Sequence, residues 1–374
     1  MRHLANIYRL GIKELWSLWR DPMMLVLIVY TATIEVYTAA TAVPETLQGA
    51  AIAVVDEDDS PLSARIASAF YPPRFTAPAR ITIAEIDPGL DAGDYTFVLD
   101  IPPNFQRDVL DGRAPQLQLS VDATRIGQAF AGAGLVQLVA MGEVSEFVQR
   151  HRNSPAPPVD LVLRARFNPG LKESWFVSLM QVVSNVTMLS IILTGAALIR
   201  EREHGTVEHL LVMPVTPAEI MLAKMWSMGA VVLLTASISL NVVIRGALQV
   251  PIEGSVALFL VGAALHLFAT TAMGIFMATL ARTMPQFGLL IMLVLLPLQV
   301  LSGGSTPRES MPKLVRDVML AAPTTHFTDL SQAILYRGAG IDVVWKPFAA
   351  LVLIGGVFYL VSLARFRKAV GQLA

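Results

Sequence analysis

The chain contains no cysteine. That absence removes disulfides, thiolate zinc sites, iron–sulfur clusters and cysteine nucleophiles together. Charge is scarce as well. Only 15% of the 374 residues are Asp, Glu, Lys or Arg, against about 25% in an average soluble chain. The net charge of −1 excludes a broad basic surface for nucleic acid. No G-x-x-x-x-G-K-[ST] phosphate cradle occurs. Gly303-Gly304-Ser305-Thr306 is glycine-rich but lacks the following lysine, so the chain is not expected to hydrolyse ATP itself. The six histidines have no convergent spacing. His204 and His209 stand five apart and point in different directions on a helix, which argues against a metal enzyme.

What is present is apolar. The chain is 54% hydrophobic with a mean hydropathy of +0.57. A membrane-crossing helix needs about 20 predominantly apolar residues, and six stretches qualify: Met23 to Val43, Trp175 to Ile199, Ile220 to Ile244, Ser255 to Ala281, Phe287 to Leu301 and Phe348 to Ala364. Between the first and second lies a run of about 130 residues of ordinary soluble composition. The expected fold is an α-helical polytopic membrane protein, six transmembrane helices in a 1+5 layout, with a large α/β extracytoplasmic domain between helices 1 and 2. The expected boundaries are 1–22 for a cytoplasmic amphipathic interfacial helix, 23–43 for the first span, 44–174 for the external domain and 175–374 for a five-helix membrane domain.

Orientation follows from basic residues in short flanks. With the N-terminus inside, eleven of the 28 Lys and Arg fall in roughly 60 inside-facing residues, about twice the density elsewhere. Among them are Arg2, Arg9, Lys13, Arg20, Arg200, Arg202 and Lys224. Both termini are then cytoplasmic and the 44–174 domain is outside. Ala40-Thr41-Ala42 after the first apolar core resembles a signal-peptide cleavage site. The long preceding segment opposes cleavage, because Leu4, Ile7, Tyr8, Leu15, Leu18 and Trp19 recur at helical spacing, as in a helix lying in the membrane interface. The first span is therefore expected to be a retained anchor.

In the external domain, strands are expected at Ala50–Val55, Tyr95–Leu99, Gln116–Val121 and Val159–Phe167, and helices from Ser60 to Phe70, over Ile101–Leu110 up to Gly112, and over Ala123–Arg150. Alternating strands and helices suggest an α/β layer with a mixed sheet. Asp56, Asp58 and Asp59 lack the Gly and terminal Glu of a calcium loop, and Ser60 and Ser63 lack a nucleophile-elbow context. A binding or docking module is expected.

After the second span comes Arg200-Glu201-Arg202-Glu203-His204-Gly205-Thr206-Val207-Glu208-His209-Leu210-Leu211-Val212-Met213-Pro214-Val215. The residues read as a charged helix end, a Gly break and a short amphipathic helix capped by Thr206 and stopped by Pro214. Pro217 and Glu219 restart the next helix. Glu201, Glu208 and Leu211 would offer a charged cytoplasmic knob; a solvated loop is the plainer alternative. The stretch resembles the E-R-E-x-G-T-x-E-x-L-L-x-x-P-[VI] signature of ABC-2-type transporter permeases, and the resemblance extends over the whole chain. It implies that 200–219 is a coupling segment docking into a separate ATP-binding cassette subunit, which binds the ATP and Mg; no cofactor is expected in this chain. Glu201, Glu203, Gly205, Thr206, Glu208, Leu211 and Pro214 match the motif and take that role.

An ionisable group inside a span is a functional candidate by default. Glu35 lies about a dozen residues into the first span, facing either a cavity or the outer interface. On the fourth span His266, Thr270, Gly274 and Ala278 recur every four residues; a small-residue packing seam with His266 hydrogen-bonded across it competes with a place on the translocation path. Asn185, Asn241 and Gln181 carry the same two readings. The loop 302–346 resembles the family's external re-entrant helices, and Pro and Gly at membrane depth are tolerated only where protein or water satisfies the freed backbone. Gly303, Gly304, Pro307 and Pro323 are the expected gate positions.

The combined expectation is the permease subunit of an ATP-driven exporter in a bacterial inner membrane. Its expected partners are an ATP-binding subunit, a second copy or sister permease, a periplasmic membrane-fusion adaptor and the lipid bilayer. One rival is an ion-coupled secondary transporter using Glu35 and His266, which would call for two hydropathy-symmetric halves; the 1+5 layout has none. A sensor would need a cytoplasmic signalling module, whereas only about 20 residues precede the first span and about 10 follow the last.

Overall fold

A computed structural model describes residues 2–42, 47, 49–122, 126–152, 167, 172–203, 215–281, 283–306 and 308–371, with the backbone alone for 126–131, 151–152 and 370–371. The chain divides into two compact units, Met1–Val43 with Ala165–Ala374 and Pro44–Arg164.

Helix α1 (Arg2–Trp19) buries Gly11, Glu14 and Leu18, while Leu4, Tyr8, Trp16 and Trp19 are exposed. Much of the apolar stripe thus points away from the protein, as a membrane-surface helix requires. Asp21 begins α2 (Pro22–Ala42): its carboxylate accepts the Met24 N–H at 3.2 Å, and Pro22 sits where a missing N–H is harmless. Within α2, residues Tyr30–Ile34 form a π turn.

The Pro44–Arg164 unit contains β1 (Ile52–Asp56), α3 (Pro61–Ser68), β2 (Ala79–Arg80), α4 (Ile86–Asp91), β3 (Phe97–Ile101), α5 (Phe105–Leu110), β4 (Gln118–Val121) and α6 (Ile126–Arg152). The sheet order is β2-β1-β3-β4. β1 runs parallel to β2 and β3, and β3 antiparallel to β4, with Val54 opposite Leu99 and Leu99 opposite Leu119. Side chains alternate across a strand, and both faces of β1 are covered. Ile52 and Val54 pack with Leu62, Ile66 and Phe70; Ala53 and Val55 pack with Ile86 and Val98. Ser60 caps α3 through a reciprocal pairing with Ser63, and α5 ends at Gly112, whose φ is +80°. Strand β2 and helix α4 were not anticipated. Residues 159–166, expected as a strand, lie outside the described residues.

The first unit continues with α7 (Glu173–Glu203), α8 (Pro217–Ala247, π-helical over Ser239–Ala247), α9 (Val256–Leu280), α10 (Met284–Val300), α11 (Lys313–Met319), α12 (Pro323–Leu335) and α13 (Ile341–Gly371). Five of its helices, α2, α7, α8, α9 and α13, are long and apolar enough to cross a membrane. The sixth expected span, Phe287–Leu301, is the 17-residue α10. At 1.5 Å per residue it measures about 26 Å, short of the roughly 30 Å hydrocarbon core, and Pro297 lies in its last turn. Among the described residues, five of the six expected spans are thus helices long and apolar enough to cross a membrane, and the sixth is a shorter apolar helix. Helix α7 is the most buried of the five long apolar helices, and α9 lies against both α7 and α13. Gly274 permits the close approach of α9 to α7, because a Cβ there would stand 2.7 Å from the Ile191 carbonyl oxygen.

Candidate functional site

The last turn of α7 is tied to several neighbours at once. Lys224 of α8, only 1% exposed, places its Nζ 2.9 Å from Glu14 Oε1 of α1 and 2.7 Å from Glu201 Oε2 of α7. Lys13 Nζ donates to Glu201 Oε1 at 2.8 Å and lies 3.9 Å from Glu14. Removing a charge from water costs several kcal/mol unless it is paired; two cations against two carboxylates meet that condition. Burial pushes the Glu14 carboxyl above its ordinary value, with Glu201 adding to the shift and Lys224 opposing it. For Lys13, burial pulls the ammonium down, but the Glu201 carboxylate outweighs it and leaves the group above its ordinary value.

Other contacts fasten the same end. Arg200 pairs with Asp21, the residue that caps α2. Arg202 Nη1 donates to the Ala281 carbonyl at 2.9 Å, and Glu203 Oε1 accepts the Met284 N–H at 3.0 Å, at the start of α10. Thr216 and Glu219 form the reciprocal cap that begins α8. Glu219 Oε1 also lies 2.9 Å from His3 Nδ1 and accepts from Asn6 Nδ2 at 3.1 Å. Trp226 Nε1 donates to the Ile7 carbonyl at 3.1 Å, Tyr8 stacks on the Trp226 ring, and Gly11 leaves room for that ring, since a Cβ there would sit 2.2 Å from it.

Glu201, expected in a charged knob, is buried between Lys13 and Lys224, and its carboxylate ties α7 to α1 and α8. Glu203 is exposed, with one oxygen committed to the α10 N-terminus. Gly205, Thr206, Glu208, Leu211 and Pro214 lie outside the described residues. Lys13, Glu14 and Lys224 were missed as members of a site. Their sequence signal was faint: Lys224 is a lone charge just inside an apolar stretch, and Glu14 is an acid on the face that α1 buries.

A second polar group lies within the predicted spans. Gln181 Nε2 donates to Glu35 Oε1 at 3.0 Å and to Asn185 Oδ1 at 2.9 Å. Asn185 Nδ2 in turn donates to the Thr31 carbonyl at 2.8 Å, and Ser239 Oγ to the Ala32 carbonyl at 2.7 Å. Both acceptors belong to the π turn of α2. Glu35, Gln181 and Asn185 are thus brought together, with Glu35 half-buried. Asn241 is exposed and donates to Ser237 O one turn back on its own helix, away from that group. His266 is fully buried, 2.8 Å from Thr187 Oγ1 across the α7–α9 contact and stacked on Phe327; Ser190 Oγ donates to Thr270 Oγ1 at 2.7 Å beside it.

At the opposite ends of these helices, Gly303 and Gly304 line a cavity of about 310 Å³ with Phe176, Arg308, Asp329 and Gln332. Gly303 has a φ of +98°, a conformation that favours glycine, and its carbonyl accepts from Gln332 Nε2 at 3.4 Å. Pro323, expected as a gate position, is the first residue of α12. Tyr336, just beyond α12, donates its hydroxyl to the Phe176 carbonyl of α7 at 2.8 Å, and burial pushes that hydroxyl's pKa up. Pro307 lies outside the described residues.

Comparison with known proteins agrees with the motif. Residues 15–364 match the family described as ABC-2 family transporter protein. The chain is 60% identical to the inner membrane transport permease YhhJ of Escherichia coli (strain K12), over all of both chains. It is 28% identical to the E. coli (strain K12) ABC transporter permease YbhR, over 96% of this chain and 97% of that one, and 26% identical to YbhS of the same organism, over 72% of each. The chain belongs to the ABC-2 transporter family and is a transmembrane permease.

Proposed function

We propose that the chain is the membrane subunit of an ATP-driven exporter of the bacterial inner membrane, working as one of two permease copies, or beside a sister permease, above two ATP-binding subunits. Both termini and the 200–219 segment face the cytoplasm, and the Pro44–Arg164 unit faces the periplasm, where it receives substrate or meets a fusion adaptor. ATP and Mg bind in the partner.

One observation carries the reading: the helix turn that opens the signature, Arg200–Glu203, is linked to α1, α2, α8 and the start of α10. A push on 204–214 would therefore reach several helices together, because packed interfaces shift as units and do not deform continuously. Glu201, Lys224, Glu14 and Lys13 form the rigid joint. Glu203 keeps α10 in register, and Glu208 and Leu211 supply the contact to the ATPase. Glu35, Gln181 and Asn185 hold α2 against α7 along the translocation path, and the Gly303–Gly304 loop with α12 closes its outer end.

The test is extraction of the tagged chain from its native membranes in mild detergent, with identification of co-purifying proteins. Recovery of an ATP-binding cassette protein with the parent, and its loss from a Glu208→Lys variant at equal membrane abundance, supports the reading. Failure to recover an ATPase with the parent across several detergents overturns it. Glu208 is preferred to Glu203 because Glu203 also holds Met284.

A further inference from the structure

The Pro44–Arg164 unit contains a cavity of about 610 Å³, within the roughly 300–1,000 Å³ of small-molecule sites. Its floor is buried and apolar: Leu99 of β3, Phe105 and Val109 of α5, and Val136 and Ala140 of α6. Along one side runs a single face of α6 from Ala133 to Val148, a length of about 22 Å at 1.5 Å per residue. The cavity is accordingly a trough.

Two observations define what fits. The cation at its edge is cancelled, because Arg113 lies 3.3 Å from the Asp108 carboxylate and is also paired with Asp111; nothing there selects an anion. The edge of the trough is also open at Gly134, where an added Cβ would meet no atom within 4 Å. A glycine inside a helix costs up to about 1 kcal/mol against alanine, so this open stretch is not explained by helix stability. Among the described residues, none of the helices long and apolar enough to cross a membrane belongs to this unit. Soluble surfaces seldom leave a large apolar hollow unless it binds something.

We propose that the trough binds an elongated, uncharged or amphiphilic small molecule, its hydrocarbon part lying along α6 and its polar end in water. This deepens the export reading by naming the class of molecule carried, but binding itself does not depend on an ATPase. The absence of cysteine makes a direct test possible. Gly134→Cys and Met141→Cys each place a unique thiol on the trough, and Leu138→Cys places one on the exposed side of α6, outside it. Each full-length variant, in lipid nanodiscs, is labelled with a water-soluble maleimide with and without 1-decanol as the probe. At twice its dissociation constant a bound probe slows labelling about threefold. Slowing at Gly134→Cys and Met141→Cys but not at Leu138→Cys is the expected result. Adding Gly134→Trp to Met141→Cys fills the trough and should abolish the protection. Equal slowing at all three positions, or none at the two trough positions, overturns the proposal. So does protection that persists with Gly134→Trp. The co-purification test above stands or falls separately, so failure of one reading is distinguishable from failure of the other.

Discussion

Lys224→Met is the sharpest perturbation of the joint at the base of α7. It removes an ammonium that is 1% exposed and stands 2.9 Å from Glu14 and 2.7 Å from Glu201, leaving two carboxylates facing a thioether. Breaking a buried ion pair by removing one partner costs about 3–5 kcal/mol. Lys13 remains near both acids, but it is about half exposed and compensates only in part, which places the expected loss near 3 kcal/mol. That is roughly two orders of magnitude in the folded-to-unfolded ratio. Adding Glu14→Gln removes the excess negative charge. The double variant should therefore lose less than the sum of the singles, with a coupling of about 1–3 kcal/mol. Unfolding by SDS in mixed micelles measures both, and tryptophan fluorescence is a suitable signal because Trp226 stacks on Tyr8 of α1. A Lys224→Met variant within about 0.5 kcal/mol of the parent, the range of ordinary surface changes, would refute the reasoning, as would strict additivity with Glu14→Gln.

Three further outcomes follow from the structure. Gly274→Ala should destabilise by about 1–3 kcal/mol, the usual penalty of overpacking, since the new methyl meets the Ile191 backbone; Gly288→Ala, with open space around its Cβ, should be neutral or stabilising, and thermal inactivation in detergent compares them. In the Pro44–Arg164 unit a hydrogen bond from Arg65, and then its charge, holds Glu146 below the ordinary carboxylate range. A depressed folded value means the stabilisation is complete above the unfolded value near about 4.3 and disappears as pH falls through the lowered one. Glu146→Gln should thus lower stability at pH 7 and not at pH 3, measured by equilibrium unfolding of the full chain at the two values. Glu35→Gln keeps an acceptor oxygen for Gln181 Nε2, so transport and partner ATPase activity should stay within a few-fold of the parent in vesicle assays; loss of transport with ATPase activity intact would instead favour an ion-coupled mechanism.

Much of this protein was legible before any coordinates because its signals are local. Twenty apolar residues in a row, and Pro217 with Glu219 at the restart of a helix, each act within a turn or two of chain. They therefore specify helices and their starts whatever packs nearby. The same holds for the strands around Val54 and Leu99, the helix stop at Gly112, and the motif from Glu201 to Val215 that carries the family. Strand β2 and helix α4 were missed because they are short and weakly patterned, and they are held in place by covering the second face of β1 with Ile86.

The site was decided at longer range. Sequence alone marks Glu201 as a charge at a helix end, and nothing adjacent to it says whether it meets water or an ammonium. Lys13, Glu14 and Lys224 come from helices separated by some two hundred positions, and only the docking of α1 against α8 brings them to one point. There burial makes an unpaired charge prohibitive, so the four groups define one another. Glu35, Gln181 and Asn185 form a group for the same reason, through a π turn that no periodicity announces. Local spacing determined the elements and the family; which charges are buried was a property of the tertiary structure, because desolvation is set by neighbours in space.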